Sequence, residues 1–324
     1  MGRTEKNRRI GGFFKADIDF EVKITEYTYT MRAKKYTIIL FYKFVRIDNP
    51  KALQKQQRKL CESLNLKGRL LIGKEGINGT FEGTMSAIKK YRAALRKDKR
   101  FADIKFKESA GFGAAFPKLK IKVREEIVTL KAGEFNVAKQ TAKTITAAQL
   151  HKWYEKNEDF VVLDLRNSYE IQSGMFEKTI DPGLSKFRDL PEKLEELKEK
   201  IKGKKVVTVC TGGIRCEKAT CLMGMEGFEN LYQLKDGMHT YIVKYPGQHF
   251  KGTLYVFDNR ITDDIVPTAS KETIGACVFC SKPCETYYCD DSVKPSRRMI
   301  CCDRCYKKRA DVLRPSAAPE TVEV

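Results

Sequence analysis

Histidine is scarce in this sequence, and the patterns that usually bind redox cofactors are missing from it. The three histidines share no motif or spacing, and neither HxE nor HExxH occurs; they are His151, His239 and His249. An ordinary non-haem iron site of two histidines and a carboxylate therefore has no recognisable ligands, and we interpret His151 as a surface residue of an amphipathic helix. No GxGxxG precedes a predicted helix, which argues against a nicotinamide or flavin fold. We expect no organic cofactor.

Long apolar runs are also missing. The longest, such as residues 37–42, fall far short of the roughly 20 residues needed to span a bilayer, so we expect no membrane insertion. The basic N-terminus is not followed by the apolar segment of a secretory signal. Eleven cysteines without such a signal favour a reducing compartment, where thiols act as nucleophiles or metal ligands. We expect a soluble, cytoplasmic protein.

Charge is unevenly placed along the chain. Residues 1–140 contain 33 Lys and Arg against 15 Asp and Glu, which is a net +18 of the total +20. Such asymmetry indicates a polyanionic partner such as nucleic acid. One basic group lies on a predicted helix and its end, and another alternates along a predicted strand: Lys89, Lys90, Arg92, Arg96, Lys97, Lys99 and Arg100, then Lys118, Lys120, Lys122 and Arg124. A merely solvated face is the alternative, but the lopsided charge favours binding to a nucleic-acid backbone.

The N-terminal part has the pattern of a small α+β domain. We interpret residues 1–34 as a flexible basic arm and place the first domain at residues 35–143. Asn78–Gly79 is a strong signal for the type I′ turn of a β-hairpin. Strands and helices are predicted in the order β-α-β-β-α-β, which is typical of a ferredoxin-like fold. The predicted elements are strands at 36–44, 68–73, 104–107 and 119–123, and helices at 50–64 and 85–96.

The middle of the chain, residues 144–260, alternates strands with helices. Thr146 is predicted to cap a helix, and the near-continuous apolar segments FVVLDLR and KVVTVC are predicted strands. The helices PEKLEELKEK and EKATCLMG follow them in turn, and LYQL is a further short strand. This alternation predicts an α/β domain with a parallel sheet covered on both faces.

The most informative segment is VVTVCTGGIRCEKAT. Cys210 ends an apolar strand and a helix begins near Cys216, so the thiol faces backbone N–H groups and a helix N-terminus, and Arg215 adds a positive charge. Because these surroundings favour the nucleophilic thiolate, we predict that Cys210 and Arg215 are catalytic. The residues between them are predicted to form an anion-binding loop: Thr211, Gly212, Gly213 and Ile214. An inert buried cysteine is the alternative, and it explains neither the glycines nor the arginine.

The spacing of this loop separates two chemistries. Cysteine phosphatases use Cys-x5-Arg, whereas only four residues separate Cys210 from Arg215, and this shorter loop resembles that of a rhodanese. The upstream LDLRNSYEIQSG resembles the rhodanese signature at four positions: Asp164, Arg166, Glu170 and Gly174. We interpret the first two as an ion pair that supports the loop; Met175 stands where many rhodaneses have histidine. Cys216 is either a resolving thiol or, as we favour, a packed residue of the first helical turn, and Cys221 is a core residue.

The last segment, residues 261–324, is rich in cysteine and poor in aliphatic residues. Cys277-x2-Cys280 and Cys302-x2-Cys305 are separated by about 20 residues, which is the spacing of a structural zinc site. Three other cysteines leave the choice of four ligands open: Cys284, Cys289 and Cys301. More than one metal, an iron–sulfur cluster and a metal-free oxidisable tail are alternatives. We favour zinc held by the two pairs.

Taken together, the segments CTGGIRCEKA, EGINGT, FPKLKIKVREEIV and YVFDNRI resemble the oxygen-dependent tRNA uridine hydroxylase family. That family pairs a ferredoxin-like (acylphosphatase-like) domain with a rhodanese domain. The resemblance implies conversion of the wobble uridine, position 34 of tRNA, to 5-hydroxyuridine with molecular oxygen as co-substrate and Cys210 as the active cysteine. It makes the anticodon loop of tRNA the expected partner, with these candidate contacts: Lys89, Lys90, Arg92, Arg96, Lys118, Lys120 and Lys122.

Two other functions are alternatives. The same thiol suits a sulfurtransferase that carries a persulfide on Cys210, and the chain suits a non-catalytic RNA-binding module with a zinc tail. The basic N-terminal half argues against the first, because a small-molecule rhodanese needs no polyanion surface, and the intact loop argues against the second. We favour a mechanism in which the Cys210 thiolate adds to C6 of uracil, while the loop amides and Arg215 stabilise the developing negative charge.

Overall fold

The computed structural model describes residues 35–263, 272–294 and 296–316. The predicted basic arm at residues 1–34 lies outside these described residues. Within them, no helix is both long enough and apolar enough to span a bilayer. The described chain has three parts: an open sheet with two helices, a parallel sheet with helices, and a small cysteine-containing unit. The predicted fold class is confirmed.

The first part is a five-stranded sheet with two helices. Its elements are β1 (Tyr36–Phe44), α1 (Pro50–Ser63), β2 (Lys67–Gly73), β3 (Gly76–Thr84), α2 (Met85–Arg96), β4 (Lys107–Gly111) and β5 (Leu119–Val123). The strand order is β4-β1-β3-β2-β5, and neighbours are antiparallel except for β2 and β5. The Asn49 side chain accepts from the N–H of Ala52 (3.0 Å) and Pro50 occupies the first helical position, which fixes the start of α1. The predicted ferredoxin-like arrangement is confirmed, with β5 as an added edge strand.

The predicted position of the hairpin turn is wrong. The turn lies at residues 74–75, between β2 and β3, whereas Asn78 and Gly79 lie inside β3 and pair with β1. Nδ2 of Asn78 donates to the carbonyl oxygen of Ile127 (3.0 Å). A Cβ on Gly79 would stand only 2.6 Å from the ring of Phe41. The asparagine and glycine therefore serve packing within the sheet rather than a turn.

The two faces of this sheet have different neighbours, because alternate residues of a strand point to opposite faces. One face packs against α1 and α2 in an apolar core: Ile39, Phe41, Leu70, Ile72, Ile77, Phe81, Tyr91 and Leu95. Ile104 is buried in the same core but precedes the strand, which was predicted at 104–107 and lies at Lys107–Gly111 as β4. The other face turns toward the second part of the chain and carries Leu40, Tyr42, Arg69, Leu71, Thr80, Lys120 and Lys122.

The second part contains α3 (Val137–Gln140), β6 (Lys143–Ile145), α4 (Ala147–Glu155), β7 (Phe160–Asp164), α5 (Ser168–Ile171), β8 (Gly174–Phe176), β9 (Thr179–Ile180), a 3-10 helix (Phe187–Lys193), α6 (Leu194–Lys200), β10 (Lys205–Val209), α7 (Ile214–Met225), β11 (Leu231–Leu234), α8 (Gly237–Lys244), β12 (Phe250–Gly252), β13 (Leu254–Tyr255) and β14 (Thr262–Asp263). It is built around the parallel sheet β6-β11-β10-β7-β9. The Thr146 side chain caps α4 in a capping box with Gln149, as predicted. Helices α6 and α7 pack on one face of the sheet, and α4 and α8 pack on the other.

The third part is a small antiparallel sheet with a short helix. Its elements are β15 (Tyr287–Asp290), β16 (Arg297–Ile300), α9 (Asp303–Lys307) and β17 (Leu313–Pro315), and the strand order is β16-β15-β17. The hydroxyl of Tyr287 donates to the carbonyl oxygen of Tyr169 (2.6 Å), which attaches this unit to the parallel-sheet part.

Candidate active site

The Cys210 loop, residues 210–215, joins β10 to α7 at the carboxyl end of the parallel sheet. The side chain of Cys210 is buried, and the N–H of Gly213 donates to its Sγ atom (3.1 Å). Gly213 has a φ of +100°, and a Cβ there would stand 2.8 Å from the hydroxyl oxygen of Tyr42. Glycine meets both requirements, because it tolerates positive φ and has no side chain. The loop therefore curls around the sulfur atom.

The thiol of Cys210 is strongly acidic for a cysteine. Burial would raise its pKa, but the hydrogen bond with Cys216, the charge of Arg215 and backbone N–H groups outweigh burial and lower the pKa to about 6. Burial and the neighbouring Cys210 instead raise the pKa of Cys216 well above its usual value. The negative charge of the two thiols therefore rests on Cys210, which is mainly a thiolate at neutral pH.

The guanidinium of Arg215 is held by a carboxylate. Its two terminal nitrogens donate to the two oxygens of Glu170, at 2.8 Å each, and both side chains are buried. Burial would lower the pKa of Arg215, but Glu170 raises it, so the guanidinium is charged. Among the described residues, Nε of Arg215 and Oγ1 of Thr211 are buried without a hydrogen-bond partner. A bound substrate can satisfy these two atoms of the loop.

A second buried ion pair supports the first. Nε and Nη2 of Arg166 donate to the carboxylate of Asp164, at distances from 2.6 to 3.1 Å. The same guanidinium donates to the carbonyl oxygens of Gly174 (2.6 Å) and Glu170 (3.2 Å). The four residues that match the rhodanese signature thus meet at one place. Glu170, for which sequence analysis gave no role, links Arg166 to Arg215.

Cys210 lines a cavity of about 390 Å³ that lies between the first two parts of the chain. The Cys210 loop forms one wall, and the face of the first sheet that points away from its helices forms another. Tyr42 and Phe257 supply aromatic surface. Among the described residues that line the cavity, cationic side chains far outnumber the one acidic residue, Glu126; they are Arg69, Lys120, Lys122, Arg124, Lys131, Arg188 and Arg215. Such a cavity suits an anionic ligand with a flat ring, such as a nucleotide.

Polar contacts join the two parts of the chain beside the Cys210 loop. Lys218, in α7, is 1% exposed and donates to Glu75 (2.9 Å) and to Glu126. The hydroxyl of Tyr42 donates to Oε1 of Glu217 (2.7 Å), in the first turn of α7. Because Glu75 lies in the turn between β2 and β3, the EGINGT segment couples the first sheet to the helix that follows Cys210.

The predicted cationic residues fall into two groups. Lys120 and Lys122, in β5, line the cavity, and Lys118 is exposed just before this strand. The other group lies in α2, which packs on the opposite face of the sheet: Lys89, Lys90, Arg92 and Arg96. Arg92 pairs with Glu108, and Arg96 donates to the carbonyl oxygen of Ile104 (3.1 Å). Folding therefore brings the strand group to Cys210 and leaves the helix group away from the cavity.

The sequence analysis missed several side chains of the cavity, among them Tyr42, Arg69, Arg188 and Phe257. Tyr42 and Arg69 face the cavity because they alternate along β1 and β2 with the buried residues Phe41 and Leu70. That alternation is the signal that identifies them. Arg188 and Phe257 carry no such signal, because a 3-10 helix and a loop bring them to the cavity.

Four of the C-terminal cysteines form a cluster. The donor atoms of Cys277, Cys280, Cys302 and Cys305 all lie within 4.8 Å of one another, and this cluster could hold a metal ion. The sulfur atoms of Cys280 and Cys302 are 3.7 Å apart. Cys301 lies outside the cluster, and its Sγ donates instead to the carbonyl oxygen of Cys302 (3.4 Å). Folding therefore selects the two predicted Cys-x2-Cys pairs.

Three family models match consecutive parts of the chain. The UPF0176 acylphosphatase like domain matches residues 36–127, the rhodanese-like domain matches residues 146–244, and the rhodanase C-terminal domain matches residues 251–316. Among solved structures, a rhodanese-related protein from Thermoplasma volcanium is 24% identical, with a TM-score of 0.26, over 32% of this chain and 94% of its own.

Relatives of similar length match most of the chain. A protein from Bacillus licheniformis is 39% identical over 272 residues, which are 82% of this chain and 83% of the relative. A protein from Staphylococcus haemolyticus is 42% identical over 255 residues, which are 78% of this chain and 79% of the relative. Both relatives are named tRNA uridine(34) hydroxylase.

Proposed function

The chain belongs to the tRNA uridine(34) hydroxylase family, and on that premise we propose that it hydroxylates C5 of the wobble uridine of tRNA, with molecular oxygen as co-substrate and Cys210 as nucleophile. The observation that carries this proposal is the cavity between the two domains. There a thiol with a pKa of about 6 faces a cationic sheet surface from another part of the chain. A nucleophile and a polyanion-binding surface therefore share one site.

The cavity suits a single nucleotide at the anticodon loop. Its volume of about 390 Å³ lies within the range of about 300–1,000 Å³ that is usual for ligand pockets. A wobble base is in a single-stranded loop and can turn outward into such a pocket. We expect Lys120, Lys122 and Arg124 to contact the flanking phosphates, and the rings of Tyr42 and Phe257 to lie beside the base. This substrate implies a cytoplasmic protein.

In the proposed mechanism Cys210 activates the uracil ring by adding to it. A bond forms between Sγ and C6, the C5–C6 double bond opens, and its electron pair is shared between C5 and O4. C5 then reacts with dioxygen. One oxygen atom stays on C5 as a hydroxyl group, and the other becomes water with two electrons and two protons from an external two-electron donor. Loss of the C5 proton restores the double bond and releases the thiolate.

Neighbouring groups assist these steps. The unsatisfied Nε of Arg215 and Oγ1 of Thr211 are positioned in the loop to donate to substrate oxygen atoms as negative charge develops. Burial raises the pKa of Glu217, although the hydrogen bond from Tyr42 opposes the rise. Because Tyr42 also lines the cavity, the Tyr42–Glu217 pair is a suitable carrier for a proton that leaves C5.

Isotope labelling tests the proposal directly. The full-length protein is incubated with undermodified tRNA and a two-electron donor under ¹⁸O₂, under ¹⁶O₂ and under argon, and the nucleosides are analysed by mass spectrometry. We expect 5-hydroxyuridine that carries one ¹⁸O atom only under ¹⁸O₂, and none under argon. Unlabelled 5-hydroxyuridine under ¹⁸O₂ would mean that the oxygen atom comes from water, which would contradict dioxygen as co-substrate. A gain of sulfur would identify a persulfide-carrying sulfurtransferase.

We also propose that the cysteine cluster holds a structural zinc ion, with Cys277, Cys280, Cys302 and Cys305 as ligands. Four thiolates are a usual donor set for zinc, and such a site fixes a segment that has too few aliphatic residues for a core of its own. Elemental analysis of protein made without added metal should give about one zinc per chain. Iron in place of zinc, or no metal at all, would contradict this assignment.

A further inference from the structure

Folding brings together two histidines and a glutamate that form no recognisable motif in the sequence. His151 and Glu155 lie four residues apart on α4, and His249 precedes β12. One donor atom from each of the three lies within 4.8 Å of the others. His151 is half-buried, and its ring stacks on Tyr245 with 4.0 Å between ring centroids. Two imidazoles and one carboxylate thus converge on one point.

The two imidazole rings are held by partners that leave nitrogen atoms for a ligand. Nδ1 of His249 lies 2.9 Å from Oε2 of Glu177, and Nδ1 of His151 lies 3.2 Å from the hydroxyl oxygen of Tyr241. Nε2 of His249 already faces Glu155, at 3.3 Å from its Oε1. Metal-binding histidines commonly use their second nitrogen in this way, on a carboxylate or another hydrogen-bonding group, which fixes the ring and its tautomer.

The backbone and packing around His249 are specialised as well. Its φ is +56°, in the left-handed region that non-glycine residues seldom adopt. Its ring stacks on Tyr154, with centroids 4.3 Å apart and planes 5° from parallel. A residue held in an uncommon conformation by several contacts often belongs to a functional site.

We propose that His151, Glu155 and His249 bind one divalent transition-metal ion such as Zn²⁺, with Glu177 and Tyr241 orienting the two imidazoles. Two nitrogen donors and one carboxylate are a common zinc set that leaves a further position for water. The ion joins α4 to the segment before β12 and offsets the negative charge of Glu155 and Glu177. This site is separate from the cysteine cluster, which has only sulfur donors, and it requires no part of the proposed hydroxylation.

Zinc titration of the full-length protein distinguishes this site from the cysteine cluster. Protein that carries one zinc per chain by elemental analysis is titrated with further Zn²⁺ in a calorimeter. We expect one additional equivalent for the unmodified chain and a higher thermal midpoint once it is bound. No additional equivalent, or no change in the midpoint, would overturn the proposal.

Three substitutions make the test specific. Glu155→Gln removes a ligand from an exposed position and should abolish the additional equivalent. Glu158→Gln is the matched control, because that carboxylate is three residues away and pairs with Lys205 outside the group. Glu177→Gln should keep the site but weaken zinc binding about 10- to 100-fold, which an adventitious surface site would not show. If all three variants bind zinc as the unmodified chain does, the proposed ligands are wrong.

Discussion

The two groups of thiols in this chain have different neighbours. Cys210 has one thiol neighbour, Cys216, faces backbone N–H groups and a cationic cavity, and has a pKa lowered to about 6. The thiols of Cys277, Cys280, Cys302 and Cys305 face one another instead. A single thiolate surrounded by hydrogen-bond donors and positive charge is available to attack an electrophile, whereas four converging thiolates need a cation. The neighbours of a thiol therefore decide whether it performs chemistry or maintains structure.

The largest expected effect follows from removal of the single thiol. Cys210→Ser should reduce formation of 5-hydroxyuridine at least about a thousandfold, because a serine hydroxyl is not ionised at neutral pH and is a poor nucleophile. The fold should persist, because oxygen can accept the same bond from the N–H of Gly213. Mass spectrometry of tRNA nucleosides gives the activity, and circular dichroism gives the fold.

Cys221→Ser is the matched control for this variant. Its Sγ donates to the carbonyl oxygen of Glu217 (3.1 Å), and a serine hydroxyl can make the same bond. Near-normal activity is therefore expected. Equal losses in both variants would mean that Cys210, too, acts through structure, and the contrast between the two groups of thiols would fail.

The cluster should respond in the opposite way. Cys302→Ser removes one of four zinc ligands, so we expect loss of most of the bound zinc and a fall of several kcal/mol in the stability of the C-terminal unit. Cys301→Ser is the control, because Cys301 lies next in sequence but outside the cluster. Zinc content and limited proteolysis of the purified proteins measure both effects. Retention of zinc by Cys302→Ser would refute the ligand set.

Most of the fold and the reactive loop could be predicted because their signals are local. The boundaries of β5 and the cap at Thr146 follow from alternation and capping within a few residues. The loop of Cys210 could be identified because its glycines and arginine are adjacent in sequence. In contrast, the turn predicted at Asn78–Gly79 is wrong, because packing against Phe41 outweighs the local turn preference of this dipeptide.

The parts that could not be predicted depend on long-range packing. The role of Glu170 required the position of Arg215, 45 residues later in the chain. Likewise, Lys120 and Lys122 could be recognised as cationic, but only the folded sheet shows that they, and not the residues of α2, reach the cavity of Cys210. The grouping of His151 with His249 depends on the same kind of contact.

A smaller effect is expected from the cationic wall of the Cys210 cavity. Lys120→Gln with Lys122→Gln should weaken tRNA binding about tenfold at low salt and reduce the slope of log affinity against log salt by about 2, because two phosphate contacts are lost. Lys89→Gln with Lys90→Gln makes the same change of charge on the opposite face of the sheet and should have less effect. Filter binding between 50 and 300 mM salt gives both slopes. Equal slopes for the two double variants would show that net charge, and not the cavity, binds tRNA.

The smallest effect, and the sharpest test of how neighbours control the thiol, is a shift in pH dependence. With a pKa of about 6, Cys210 is about nine-tenths thiolate at pH 7, whereas an ordinary cysteine with a pKa of about 8.5 would be only a few per cent ionised. Because the pKa of Cys210 is lowered, activity should rise as the pH increases through about 6 and then stay level. Activity at pH 5 should be about tenfold lower than at this plateau.

Cys216→Ala removes the hydrogen bond that helps to lower the pKa of Cys210. This variant should move the midpoint of the pH profile to higher pH and leave the plateau unchanged. Single-turnover rates at saturating tRNA separate this change from binding. An unchanged midpoint would assign the low pKa to Arg215 and the loop amides alone, and Cys216 would then be a packing residue.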